Sequence, residues 1–138
     1  MKTLGEFYRE KVLTFPERVT RQLPVVRDQE EQGRVERRLF GWCLVVQNKE
    51  IPCGSEAEAR FLKLCGELGM SRVEVPADEC YLSSILPEFE RLKARVDEIM
   101  NSYLAGVDSL RVRHRVYARL LEGKAKLERT GKRRWRQR

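Results

Sequence analysis

The chain has 138 residues, 41% apolar and 36% charged, enough for one ordinary domain with its own core. No window approaches the roughly 18 apolar residues of a transmembrane span, and Met1–Glu10 holds no apolar signal core, so a soluble cytoplasmic protein is expected. The net charge of +7 is unevenly placed: positions 1–41 carry +2, 42–110 carry −5 and 111–138 carry +10.

Thr3–Leu13 is expected to form a helix, with Leu4, Phe7, Tyr8 and Val12 toward a buried side. Phe15-Pro16 interrupts it, and Pro16 suits the first turn of a second short helix running to about Leu23, where Pro24 stops it. Asp28–Arg38 is almost wholly charged around Gly33 and reads as a linker or a solvated helical turn. These opening residues are expected to be an accessory arm.

From Leu39 the pattern changes. Phe40-Gly41-Trp42-Cys43-Leu44-Val45-Val46 has the aromatic and β-branched composition of a strand. Asn48-Lys49 is a weak hairpin signal, and Ile51-Pro52-Cys53 is a short return strand that Pro52 confines to an edge. Ser55-Glu56-Ala57-Glu58 matches a capping box, in which Ser55 accepts from the Glu58 amide and the Glu58 carboxylate reaches back to the Ser55 amide. Ala57, Phe61, Leu64, Cys65 and Leu68 then share one helical face, and Gly69 stands where a left-handed stop belongs. Met70–Val75 reads as a third strand closed by Pro76.

Asp78 can cap the next helix, which passes Cys80–Leu86 and continues through Pro87 to about Leu104. Ile85, Phe89, Leu92, Val96, Ile99 and Tyr103 recur at steps of three and four, a stripe that suits either packing across the sheet or a coiled-coil seam. Gly106 breaks or bends that helix. A further helix is expected from Leu110 to about Glu128, capped by Asp108 or Ser109, with Val112, Val116, Leu120 and Leu127 on one face. Thr130–Arg138 has almost no apolar content besides Trp135.

The expected architecture is a small α+β domain: a three-stranded, mostly antiparallel sheet packed by two helices, with a helical N-terminal arm and a basic C-terminal helix. Its divisions fall at 1–38, 39–105 and 106–138.

Three chemistries can be weighed. Cys43, Cys53, Cys65 and Cys80 lack a Cys-x-x-Cys spacing and a nearby histidine, so no structural zinc is expected. Cys53 precedes the capped helix start, whose amides would lower a thiol pKa, but the single histidine, His114, lies 61 positions on and no base is in view. No phosphate-binding glycine loop or hydrolase motif is present, and no cofactor is expected.

The C-terminal cations stand out. Arg111, Arg115 and Arg119 form an i, i+4 stripe with Lys126 following, and Lys132, Arg133, Arg134, Arg136 and Arg138 surround Trp135. Guanidinium groups in such an array match phosphates without reading sequence, and an interleaved tryptophan can stack on an unpaired base. The expected function is therefore non-catalytic binding of nucleic acid through these residues. The alternative is a structural or protein-interaction subunit whose long helices self-associate or dock a larger partner.

Overall fold

The computed structural model describes residues 3–24, 33–47, 49–103 and 113–119. Helix α1 (Leu4–Phe7) begins at Thr3, whose hydroxyl accepts from the Glu6 amide at 3.1 Å, and continues as a π-helical turn over Tyr8–Leu13. The carbonyls at the end of this turn are all met: Glu10 by the Thr14 hydroxyl, Lys11 by the Tyr81 hydroxyl, Val12 by the amides of Thr14 and Phe15, and Leu13 by Arg18 Nη1 at 2.6 Å.

The expected second helix is replaced by strand β1 (Arg18–Gln22). A helix there would offer only Val19 and Leu23 to a core, whereas an extended chain satisfies its backbone on strand β5 (Arg72–Pro76), in antiparallel register from Arg18–Pro76 to Gln22–Arg72. Val19-Thr20, both β-branched, suit that choice. The Thr20 hydroxyl then bonds the Glu74 carboxylate across the strands.

A second, three-stranded antiparallel sheet runs in the order β2 (Arg34–Arg38), β3 (Gly41–Val46), β4 (Lys49–Cys53). The expected sheet of three strands with helices packed on it is present, but its third strand is the charged segment before Leu39. Residues 72–76, expected in that sheet, pair only with β1. The charge of β2 concealed it: Arg34, Glu36 and Arg38 lie on the outer face, where Glu36 bridges Arg34 and Arg38 at 2.6 Å each. Their long stems shield Cys43 and Val45, both under 10% exposed. Residues 28–32 of the expected linker lie outside the described residues.

Leu39 and Phe40 form the β2–β3 turn rather than a strand, and Pro52 sits on an edge strand as expected. The β3–β4 turn places Gln47 at φ 52°, and Lys49, expected in the turn, instead pairs with Val46 as the first residue of β4.

Helix α2 (Glu56–Glu67) starts as its capping box requires on one side, with Glu58 N donating to Ser55 Oγ at 3.1 Å. The reciprocal bond goes elsewhere: Glu58 Oε2 accepts from the Gly54 amide at 3.3 Å, and Oε1 holds Arg21 at 2.7 Å. Arg21 also donates to the Pro52 carbonyl, so one guanidinium ties β1, β4 and the start of α2 where no ladder joins the two sheets. The helix ends in a Schellman turn, Met70 N to Cys65 O and Gly69 N to Gly66 O, with Gly69 at φ +81°.

Helix α3 (Glu79–Tyr103) is capped by Asp78, which accepts from Tyr81 N at 3.0 Å, and runs unbroken through Pro87. Its buried residues are Leu82, Ile85, Leu86, Phe89, Leu92, Lys93 and Met100. The expected stripe drifts by its end: Met100 is buried and Ile99 is 51% exposed. A 3-4 alternation averages 3.5 residues per turn against the helix's 3.6, so a straight helix rotates away from it by roughly 20° per heptad.

The core lies where α1, α2 and α3 meet. Phe89 stacks on Phe7 at 5.2 Å and meets Phe61 at 5.2 Å, all three with no exposed surface. The opening residues thus supply core: Leu4, Phe7 and Val12 are buried, and the Tyr8 hydroxyl accepts from the Glu74 amide. Among the described residues no helix is long and apolar enough to cross a membrane.

Candidate nucleic-acid interface

Of the ten cations and aromatics singled out from sequence, Arg115 and Arg119 fall within the described residues. Arg111, Lys126, Lys132, Arg133, Arg134, Trp135, Arg136 and Arg138 lie outside them, as do the break at Gly106, the caps at Asp108 or Ser109, and the expected helix from 120 to 128. Residues 113–119 are helical. At 100° per residue, Arg115 and Arg119 stand 40° apart on one side, and both are exposed. Arg113, Val116 and Tyr117 occupy the other side, with Tyr117 only 4% exposed.

That inner side is anchored on the ends of α2 and α3. The Tyr117 hydroxyl donates to Asp97 Oδ1, and Arg113 Nη2 donates to Asn101 Oδ1 at 2.9 Å. Lys93 Nζ sits between Asp97 Oδ2 at 2.6 Å and Glu67 Oε2 at 3.1 Å, and 5.5 Å from the centre of the Tyr117 ring. Lys63 completes the chain on Glu67 at 2.6 Å. His114 packs against the Schellman turn: a Cβ on Gly69 would stand 2.7 Å from the imidazole Cγ, so position 69 needs glycine both for its φ and for the space.

The arrangement separates roles along one helix. Acidic groups of the body are spent on Tyr117 and Lys93, while Arg115 and Arg119 are turned to water. Tyr117 and His114 as anchors escaped the sequence reading, which put Val112, Val116, Leu120 and Leu127 on the packing face. Of these Val116 lies against the core and the other three are outside the described residues. Lys93 had a legible signal: it falls on the Leu86–Phe89–Val96–Met100 stripe, and a lysine there requires partners.

One expectation about the thiols is corrected: the helix start does not lower the Cys53 pKa. All four cysteines are free, with Cys43, Cys53 and Cys65 buried. Cys53 is pushed up from its ordinary 9.0 to about 11 by burial and by the Glu58 carboxylate. The helix start expected to lower its pKa is already occupied by Ser55 and Glu58. Among the described residues no group of three or more His, Cys, Asp and Glu side chains converges as a metal site would require.

Burial raises other groups too. Tyr8 is pushed from 10.0 to about 12, and Cys65 and Tyr117 are pushed up further, Tyr117 by burial and then by Asp97. In the folded state each keeps a proton that the unfolded chain has released, so their stabilising contribution is complete below about pH 9 and is lost as pH climbs toward 12. The full slope is about 1.4 kcal/mol per pH unit per group, reduced where solvent screens the half-buried rings. Urea midpoints should therefore hold steady to about pH 9 and fall through about pH 11; a flat profile over that interval would contradict the buried placement of these groups.

Fold and interface together define a small α+β domain with a short basic helix locked by one side onto the ends of two core helices. No protein-family model, curated protein or solved structure matches the chain.

Proposed function

We propose that this chain is a non-catalytic, cytoplasmic protein that binds nucleic acid through phosphates, using the exposed side of the 113–119 helix and the cations beyond it. The observation that carries the reading is the sidedness of that helix. Arg115 and Arg119 are exposed while Arg113, Val116 and Tyr117 hold the helix in place. Two guanidinium groups on a fixed backbone lose less freedom on meeting phosphates than the same groups on a free tail. The ten net positive charges of 111–138 add attraction that carries no sequence information. Four unpaired thiols fit the cytoplasmic setting.

Self-association through the long helix has less support. Phe89 and Leu92, which would form its seam, are consumed by the core, leaving Ile99 exposed.

The test is binding to short single- and double-stranded DNA and RNA over a salt series. Because Arg115 and Arg119 are exposed, R115A/R119A should fold as the parent does. Affinity should fall about uniformly across sequences, and the slope of log K against log salt should shrink by about 1.4 to 1.8. W135A should weaken single-strand binding more than duplex binding. No binding by the parent at low salt would sink the reading.

A further inference from the structure

The β2–β3 hairpin ends in Leu39 and Phe40, exposed by 89% and 97%. Scattered exposed apolar residues are ordinary, and Leu13, Val19 and Ile99 are exposed by 41%, 49% and 51%. Two adjacent ones standing almost wholly in water at a turn are different. Two-residue hairpin turns favour Asn, Asp and Gly, and nothing in this turn calls for Leu or Phe. The turn is held instead by Gly41, at φ +137°, a conformation that side chains rarely adopt, where an added Cβ would stand 3.4 Å from the Cys53 carbonyl oxygen. Neither Leu39 nor Phe40 joins the core. The local rule is broken without an intramolecular return, which is the pattern of a binding element.

The charge around the tip indicates what it meets. Arg37 is exposed and makes no ion pair among the described residues; Arg38, next to the tip, shares Glu36 and Glu50. The tip is convex, basic and apolar at once. A nucleic-acid groove fits it poorly, because a ribbon lying lengthwise would bring Glu36 and Glu50 against phosphates. A bilayer meets only the end of the hairpin. Glu36 then stands three residues back, about 10 Å along the strand and beyond a Debye length of about 8 Å.

We propose that Leu39 and Phe40 insert into the interfacial layer of an anionic lipid surface, with Arg37 at the headgroup phosphates and Arg38 held back by Glu36 and Glu50. The proposal goes beyond the nucleic-acid reading and does not rest on it. Gly41 lies against Cys53, just before α2 begins, whereas His114 packs on Gly69, just after α2 ends. The two surfaces thus sit at opposite ends of a helix about 18 Å long. One tip of two side chains gives reversible attachment rather than anchoring.

The full chain is tested by co-sedimentation with vesicles of equal parts phosphatidylserine and phosphatidylcholine at about 0.15 M salt, the C-terminal cations being common to every variant so that differences between variants report the tip. Phosphatidylcholine vesicles serve as the comparison. Parent is set against L39S/F40S, which leaves the core untouched and should keep the parent's urea midpoint. The expected result is a fall in partitioning of about 30-fold, with the parent preferring the anionic vesicles. In a F40W variant, brominated lipid should quench a fluorescence component that the parent lacks. Equal partitioning of parent and L39S/F40S, or no vesicle binding by the parent, overturns the proposal. Should L39S/F40S instead lose affinity for single-stranded DNA with vesicle binding unchanged, the tip serves unpaired bases and the lipid assignment is wrong. The nucleic-acid reading stands or falls separately, on R115A/R119A.

Discussion

Phe89→Ala should destabilise the protein by about 3 to 5 kcal/mol, measured as a shift in urea midpoint at unchanged slope. Phe89 has no exposed surface and is the ring on which Phe7 and Phe61 both rest, at 5.2 Å each. Truncation removes the transfer free energy of the ring and leaves a hole bounded by residues from three separate helices. These cannot all close on it, because α1 is fixed by Tyr8 to β5 and by Tyr81 to α3. Against a typical total of about 5 to 15 kcal/mol, such a loss takes up much of the stability. Phe89→Leu keeps most of the volume and should cost well under half as much. A cost below about 1.5 kcal/mol for the alanine variant would mean that the three-ring cluster repacks freely and is not the centre of the core.

Lys93→Ala should cost about 2 to 3 kcal/mol and should loosen the 113–119 helix before the rest of the chain. The Lys93 side chain is 9% exposed, and its ammonium answers Glu67 and Asp97 together. Removing it leaves two carboxylates facing a vacated space, which is costlier than never having buried the charge. The figure stays at the lower end because Glu67 retains Lys63 and Asp97 retains Tyr117. Hydrogen exchange separates this from a general loss of stability. Amides of 113–119 should exchange faster in Lys93→Ala even under conditions where those of α2 remain protected. Lys93→Met, which keeps the apolar stem under Tyr117, should recover part of the stability. Uniform acceleration across the chain would show that Lys93 supports the core as a whole and not the docking of the basic helix.

These two variants mark the division between local and tertiary information. Elements whose signal is carried by neighbours in sequence were legible. Ser55 with Glu58, Gly69 after Leu68, Asp78 before α3 and the apolar face of Thr3–Leu13 each act within one or two helical turns. The charge gradient along the chain was legible in the same way, and with it Arg115 and Arg119 as candidate contacts.

What required the folded structure was decided by partners far along the chain. The strand at Arg72–Pro76 was legible, read as Met70–Val75, but Arg18–Gln22, some fifty residues earlier, does not specify a strand by itself and becomes one because β5 satisfies its backbone. The charged segment Arg34–Arg38 has no apolar alternation, since half of it faces outward as an ion-paired cover over Cys43 and Val45. Propensity reads such a stretch as linker; pairing with β3 overrides it. Likewise Glu58 abandons the reciprocal half of its capping box because Arg21, 37 residues earlier, competes for its carboxylate.

By itself, then, the sequence determined the mixed class of the fold, the bounds of α2 and α3 and the concentration of positive charge at one end. Those follow from periodicity, caps and composition, which are short-range properties of the chain. Tertiary structure alone decided which strands pair, which side of the basic helix is spent on Asp97 and Asn101, and that Leu39 and Phe40 are left in water. Each depends on which distant groups meet, and burial and charge compensation are settled only when they do.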